Sequence, residues 1–427
     1  MRITYVFLLC QLLLTPLLAQ QSKVEDYVKE VYDYSLTIKS ASETSSAAQY
    51  ALKQAQRNFY PRLDAALSAT YALKEYSFMP GISLEPFNGY VGLTLSQNVY
   101  SGSLVRNSAA LADVASQMAE YSELLVAENV ILAASSMYWM LVAANAYVDV
   151  ATQYLDLIAS NYDLLKIKFE EGVLSKNDLL MMLTRKKQAE YGLVQAQKNQ
   201  EKLLSNFNIL RGKASSDSVN LGDSIMIVDA SLPVRVASSD ILEQNSEFNI
   251  NKLNIQKSIN QMKINAASYL PQISLGISGT YGTQTFNIDG SIVWDGQVYF
   301  KASAPIFAWG QKRQKRLSDM ALVRLAKYEL ENTTDNISKN ISDSYIALAE
   351  NFEQLSVTNS SLEIANESLD LSIFSFDEGV VSVLELLSAQ LSWLSAYNSK
   401  IAANMSYRIS LATYMKEVGK ITSMMGL

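Results

Sequence analysis

The 427 residues carry 35 Lys and Arg against 42 Asp and Glu, a net charge of −7, with no His and a single Cys. There is no basic excess for binding nucleic acid, and most metal sites and the commonest general base are excluded. With Cys10 alone, no disulfide can form within the chain.

Arg2 precedes an apolar run from Val6 to Leu18 and a small residue at Ala19. This predicts a secretory signal over residues 1–20, with a mature chain beginning near Gln21. Cys10 falls inside that signal, too early and in the wrong context for a lipoprotein acylation site. No later stretch offers about 18 consecutive apolar residues, so no membrane helix is predicted. A β-barrel remains open, because alternating strands hide from hydropathy.

From Val24 to Tyr60 the pattern is helical, ending at Pro61. The period then changes to two: Leu63, Ala65, Leu67, Ala69 and Tyr71 alternate with Arg62, Asp64, Ala66, Ser68 and Thr70. That is a strand with one apolar and one small or polar face. A turn-rich loop from Met79 to Gly89 leads to a second strand, Val91, Leu93, Leu95 and Val99 alternating with Gly92, Thr94, Ser96 and Asn98. Residues 103–171 then contain neither Gly nor Pro. At 1.5 Å per residue they predict a helix of roughly 100 Å, deeper than a compact soluble domain. The chain reverses at Gly172, returns as a helix over 175–211 and reaches a polar segment running to about Pro233.

The same order then recurs. A helix from about Asp240 to Tyr269 meets Pro271, and a hairpin follows over about 272–305. Its second strand alternates Trp294, Val298, Phe300, Ala302 and Ala304 with Asp295, Gln297, Tyr299, Lys301 and Ser303. A helix free of Gly and Pro covers 311–378, and after Gly379 a return helix covers 382–418. Pro61 and Pro271 differ by 210, Gly102 and Gly310 by 208, and Gly172 and Gly379 by 207, so the offset falls in small steps. The chain is therefore divided into residues 21–230 and 231–427, two structural repeats of one body.

The clearest repeated stretch is Phe169 to Leu180, which returns as Phe376 to Leu387. Gly172 and Gly379 are placed as left-handed helix terminators. Ser175 with Asp178, and Ser382 with Glu385, have the form of capping boxes opening the next helix.

With these reversals, Tyr60 to Leu63 and Leu270 to Ile273 at the strand entries, and the junctions Gln97 to Gly102 and Ala304 to Gly310, the sequence resembles the TolC-like outer membrane efflux protein family. Asn98 stands where that family's junction often has Pro, and Ala304 where it often has Gln. The resemblance implies a mixed α/β membrane protein: a homotrimer with a 12-stranded transmembrane β-barrel, four strands per chain, continued by a long periplasmic α-helical barrel with coiled-coil hairpins. It implies an outer membrane channel extending into the periplasm, the exit duct of a tripartite efflux or type I secretion system. Its partners would be a periplasmic adaptor (membrane fusion) protein, an inner-membrane transporter and outer membrane lipid, with no nucleic acid and no cofactor. No enzyme is expected.

Asp178 and Glu385 carry two readings: helix capping alone, or capping combined with a pore-narrowing ring of carboxylates at the periplasmic tip. The tip turns Gly172, Val173, Leu174, Ser175 and Gly379, Val380, Val381, Ser382 are either tight turns or, by the resemblance, the surface met by the adaptor. The repeated apolar pair favours contact. Tyr60, Tyr100, Tyr269 and Trp309 sit at strand ends as an interface aromatic girdle, with ordinary packing as the alternative. Lys312, Arg313, Lys315 and Arg316 form a solvated basic face. A second functional reading is a barrel-anchored structural coiled-coil surface protein without an open pore.

Overall fold

The computed structural model describes residues 22–74, 77–79, 82–227, 229–283 and 288–427. The signal segment expected over 1–20 lies outside them, as do parts of the two hairpin loops. The chain forms two compact units. One comprises the residues up to Ser40, Leu124–Asn245 and Asp335–Leu427; the other comprises Ala41–Glu123 and Ser246–Thr334.

The second unit is organised by a sheet of β1 (Arg62–Tyr71), β4 (Phe87–Tyr100), β5 (Gln272–Thr283) and β6 (Ile292–Ser303), in the order β1-β4-β5-β6 with every pair antiparallel. A small hairpin of β2 (Ser77–Met79) and β3 (Ile82–Ser83), which the sequence did not reveal, lies in the first loop. The register keeps the two faces separate across all four strands. Leu67 pairs with Val91, Val91 with Tyr281 and Tyr281 with Trp294, a continuous apolar row. On the other face Asp64 pairs with Thr94, Thr94 with Ser278 and Ser278 with Gln297, a continuous polar row. On this mainly polar face the Tyr299 ring fills the space that a Cβ on its partner Gly276 would occupy. The side chains of the apolar row are exposed, Leu67 by 80 % and Trp294 by 73 %.

The helices are α1 (Val24–Tyr34), α2 (Leu36–Arg57), α3 (Leu104–Glu170), α4 (Lys176–Leu210), α5 (Ser246–Ala267), α6 (Gln311–Asp377), α7 (Val383–Glu417) and a short α8 (Ile421–Met424). α3 and α6 have 67 residues each and contribute to both units. Two boundaries differ from expectation. The first helix is broken at Ser35, whose ψ of 115° leaves the helical region and whose Oγ accepts the Ile38 amide, capping the next helix. The helix expected from Asp240 begins at Ser246, after two 3₁₀ turns at Ser238–Asp240 and Leu242–Gln244.

The repeat spacing is also simpler than the glycines indicate. Gly102 and Ser103 have φ of 60° and 68°, and Trp309 and Gly310 have φ of 45° and 78°. The left-handed pairs before α3 and α6 thus correspond at an offset of 207, with Trp309 in the place of Gly102 and Gly310 in the place of Ser103. The apparent offset of 208 is a glycine exchanged between two adjacent left-handed positions.

The first unit holds the helical core. Its buried residues include Tyr27, Val28 and Val31 of α1, Ile131, Tyr138, Leu141 and Leu165 of α3, Met182 and Phe207 of α4, and Phe376, Leu386 and Ile401 of α6 and α7. α3 contains a window long and apolar enough to cross a membrane, and Ile131, Ala134, Tyr138, Leu141 and Val142 of this helix are buried in the core. The segment after α4 is strapped down by side chains. Asn404 Nδ2 donates to the Ile225 carbonyl at 2.7 Å, and Tyr407 Oη donates to the Ser231 carbonyl at 2.9 Å.

Candidate functional site

Both helical reversals belong to the first unit and have the same backbone construction. At the first, the Val173 amide donates to the Lys168 carbonyl at 2.9 Å and the Gly172 amide to the Phe169 carbonyl at 3.0 Å, with Gly172 at φ 76°. At the second, the Val380 amide donates to the Ser375 carbonyl at 2.8 Å and the Gly379 amide to the Phe376 carbonyl at 3.1 Å, with Gly379 at φ 75°. These paired bonds satisfy carbonyls that the ending helix leaves free, and they require a left-handed residue where Gly stands.

Each following helix opens with a complete capping box. Ser175 Oγ accepts the Asp178 amide at 3.2 Å, and Asp178 Oδ2 accepts the Ser175 amide at 3.3 Å. Ser382 Oγ accepts the Glu385 amide at 3.3 Å, and Glu385 Oε2 accepts the Ser382 amide at 2.7 Å. The Ser382 backbone and hydroxyl bonds hold the Glu385 carboxyl below its usual range. Each carboxylate is thus committed to a cap within its own chain, and each remains reachable by solvent.

Side chains draw the two reversals together. Lys168 Nζ lies 4.6 Å from the Phe376 ring centroid and donates to the Phe376 carbonyl at 3.4 Å. Phe376, Val383, Leu386 and Leu387 are buried in the same apolar core as Leu165 and Met182. Among the tip residues, Val173 (70 %) and Val380 (76 %) are exposed. Leu174 and Val381, expected to be exposed with them, pack against the core. The turn places one residue of each apolar pair inward and leaves the other for contact. The Lys168 bridge was not visible in the sequence. Its one signal is asymmetry within a repeated stretch, since the position corresponding to Lys168 in the second copy is Ser375.

The strand-end aromatics belong to the other unit. Tyr60, Tyr100 and Trp309 are exposed, and Tyr269 is half-buried. Arg57 lies 5.9 Å from the Tyr60 ring centroid, and Phe307 meets Trp309 edge-on at 4.8 Å. Lys315 in the basic face pairs with the buried Asp319 at 3.0 Å. Among the described residues no cluster of acidic side chains could hold a metal ion.

Residues 237–420 match the family model described as outer membrane efflux protein. A comparison with curated protein sequences finds no match. Solved structures match over 93 % of the chain. The Campylobacter jejuni CmeC outer membrane channel is 18 % identical with a TM-score of 0.79, covering 86 % of that chain. VceC, an outer membrane protein of Vibrio cholerae, is 16 % identical with a TM-score of 0.77, covering 96 % of that chain. The open state of the Neisseria gonorrhoeae MtrE outer membrane channel is 16 % identical with a TM-score of 0.79, covering 89 % of that chain. The chain has the fold of these TolC-like channels, long helices with a four-stranded antiparallel sheet.

Proposed function

We propose that the chain is an outer membrane efflux channel, extending into the periplasm of a Gram-negative bacterium. It acts as the passive exit duct of a tripartite efflux or type I secretion system. One observation carries this reading: a four-stranded sheet keeps an apolar row on one face and a mainly polar row on the other, while both of its edges stay open. An apolar face without a protein partner suits lipid, a polar face suits water, and open edges in a membrane demand further strands from other copies. Three copies would give twelve strands, the homotrimeric barrel that the family resemblance implies.

In this reading residues 1–20 are a cleaved signal, and 21–230 and 231–427 are the two repeats that each subunit contributes. Asp178 and Glu385 cap their helices and ring the periplasmic mouth of the duct. Exposed Val173 and Val380, with Gly172, Ser175, Gly379 and Ser382, meet a periplasmic adaptor, while Leu174 and Val381 brace the turns from within. The adaptor links the duct to an inner-membrane transporter, which supplies the energy. Tyr60, Tyr100, Tyr269 and Trp309 lie at the lipid boundary. The chain itself performs no chemistry, and no cofactor is needed for conduction.

Conductance of the purified protein in planar bilayers tests this reading. Stable single-channel steps are expected; a membrane-inserted protein with no steps under any applied voltage would overturn the duct in favour of a barrel-anchored surface protein.

A further inference from the structure

The apolar core behind the two reversals encloses polar side chains that the protein leaves unsatisfied. α3 and α6 both end at a reversal, and Lys168 of the one meets Phe376 of the other, so the two helices run side by side in the same direction there. A step of seven residues back along each helix, about two turns, returns to the same face. It brings Asn161 level with Leu369, and a second step brings Tyr154 level with Leu362. All four residues are buried. Yet Asn161 Nδ2 and Tyr154 Oη have no hydrogen-bond partner. On α7, Gln390 follows Leu386 and precedes Trp393 on the buried face; it is fully enclosed, and neither its Nε2 nor its Oε1 is bonded. Asn161 stands 11 residues before Gly172, and Gln390 stands 11 residues after Gly379. The two amides therefore occupy one level, roughly 16 Å from the turns.

These groups are exceptions within their unit. Asn208 Nδ2 donates to the Ser215 and Asp217 carbonyls, and Asn404 Nδ2 donates to the Ile225 carbonyl. Nor does the duplicated plan call for them. At the offset of 207, Tyr154 and Asn161 correspond to Ser361 and Ser368, both exposed, and Gln390 corresponds to Leu183. A neighbouring subunit cannot reach the unpartnered atoms, because one chain alone already encloses them.

A polar group buried without a partner regains its hydrogen bonds when water reaches it, so the present packing is biased to part at this level. Burial of Leu362, Leu369 and Leu386 opposes parting and holds the core together at rest. We infer that Tyr154, Asn161 and Gln390 form a weak seam, a polar level in an apolar core where the α3–α4 and α6–α7 hairpins are poised to separate. The Lys168 contact clasps the seam at the tip. This inference rests on the duct reading and adds to it a device, inside each subunit, that lowers the cost of opening.

The test tightens the seam. Tyr154→Phe, Asn161→Leu and Gln390→Met each remove an unpartnered group at nearly constant size, and a full-length triple variant combines them. Amide exchange is followed over residues 154–165 and 383–393 in the solubilised protein, and single channels are recorded in planar bilayers. In the triple variant exchange over both segments is expected to slow about tenfold or more. The fraction of time spent in the highest-conductance state is expected to fall with it. Leu183→Met, at the position corresponding to Gln390, should change neither. Unchanged or faster exchange would mean that the three groups support the core, and overturns the seam. Slower exchange with unaltered channel behaviour overturns its part in opening and leaves the duct reading standing. If the triple variant does not assemble, Gln390→Met alone decides by the same outcomes. Wild-type protein that gives no channel steps overturns both readings.

Discussion

Lys168 of the first reversal and Phe376 of the second, 208 residues apart, are joined twice: the ammonium stands 4.6 Å from the ring centroid and donates to the carbonyl of the same residue at 3.4 Å. A cation at the C-terminal end of α6 also meets the partial negative charge of that helix terminus. The contact ties one hairpin end to the other at the tip, and Ser375 provides no equivalent in the opposite direction.

Replacing Lys168 by Met keeps the stem and removes the charge. The cation–ring contact is worth about 0.5–1 kcal/mol at an accessible site, enough to shift a local opening equilibrium several-fold. In the Lys168→Met protein, amide exchange of Gly172 to Ser175 and Gly379 to Ser382 is expected to quicken by a factor of about 3–5, with the global unfolding temperature unchanged. Equal exchange in both proteins would show that the contact does not hold the tips.

The two roles of the tip carboxylates separate by substitution. Gln at the third helical position still completes a capping box, whereas Ala does not. Glu385→Gln with Asp178→Asn is therefore expected to keep the reversals intact while removing charge; Glu385→Ala with Asp178→Ala removes the charge and also the bonds that these side chains accept from the Ser382 and Ser175 amides. If the carboxylates ring a pore, the amide pair lowers cation selectivity as far as the alanine pair does. Selectivity that changes only in the alanine pair would assign these residues to capping alone.

Acid provides an independent check on Glu385. Its carboxyl is held below the usual value of 4.5 by bonds from Ser382. A folded value below the unfolded one means that the cap's contribution is complete above the unfolded value and is lost as pH falls through the folded one. Amides in the first turn of α7 are expected to lose protection, after correction for intrinsic exchange, as pH drops from that usual value downward. Glu385→Gln should abolish this dependence, and a wild-type turn with constant protection across that interval would contradict the cap.

Much of the architecture was legible because each element changes its period at a visible punctuation mark. Pro61 and Pro271 mark helix-to-strand transitions, and Gly172 and Gly379 mark reversals whose geometry only a left-handed residue satisfies. What escaped was set by contacts rather than by pattern. Ser35 is an ordinary polar residue until its hydroxyl caps Ile38, so the break between α1 and α2 has no periodic signature. Trp309 holds a conformation that its type rarely adopts, and sequence alignment by glycines therefore slipped by one residue there. Leu174 and Val381 match Val173 and Val380 in character, and only the fold shows which of each pair points inward.

The last prediction concerns how the N-terminal helix is anchored. The Tyr27 ring stacks on Phe207 at 3.8 Å, and its hydroxyl donates to the Phe207 carbonyl at 3.2 Å. Beside it, Tyr138 Oη donates to Asp223 Oδ2 at 2.7 Å, and the same oxygen accepts the Val24 amide at 3.2 Å. In the second repeat the corresponding aromatic pair is Tyr345 and Tyr414; the Val236 amide donates to Tyr414 Oη at 3.0 Å, and Arg235 lies 5.5 Å from the Tyr345 ring centroid. α1 is therefore held by a site that the other repeat covers with its strap. Tyr27→Ala empties a fully buried aromatic position and is expected to cost about 3–5 kcal/mol, whereas Tyr27→Phe loses one hydrogen bond, about 1 kcal/mol. Limited proteolysis should cut the alanine variant first within residues 22–35 and leave the phenylalanine variant close to wild type. Cleavage that begins elsewhere in the alanine variant would mean that α1 is anchored by the Asp223 contacts instead.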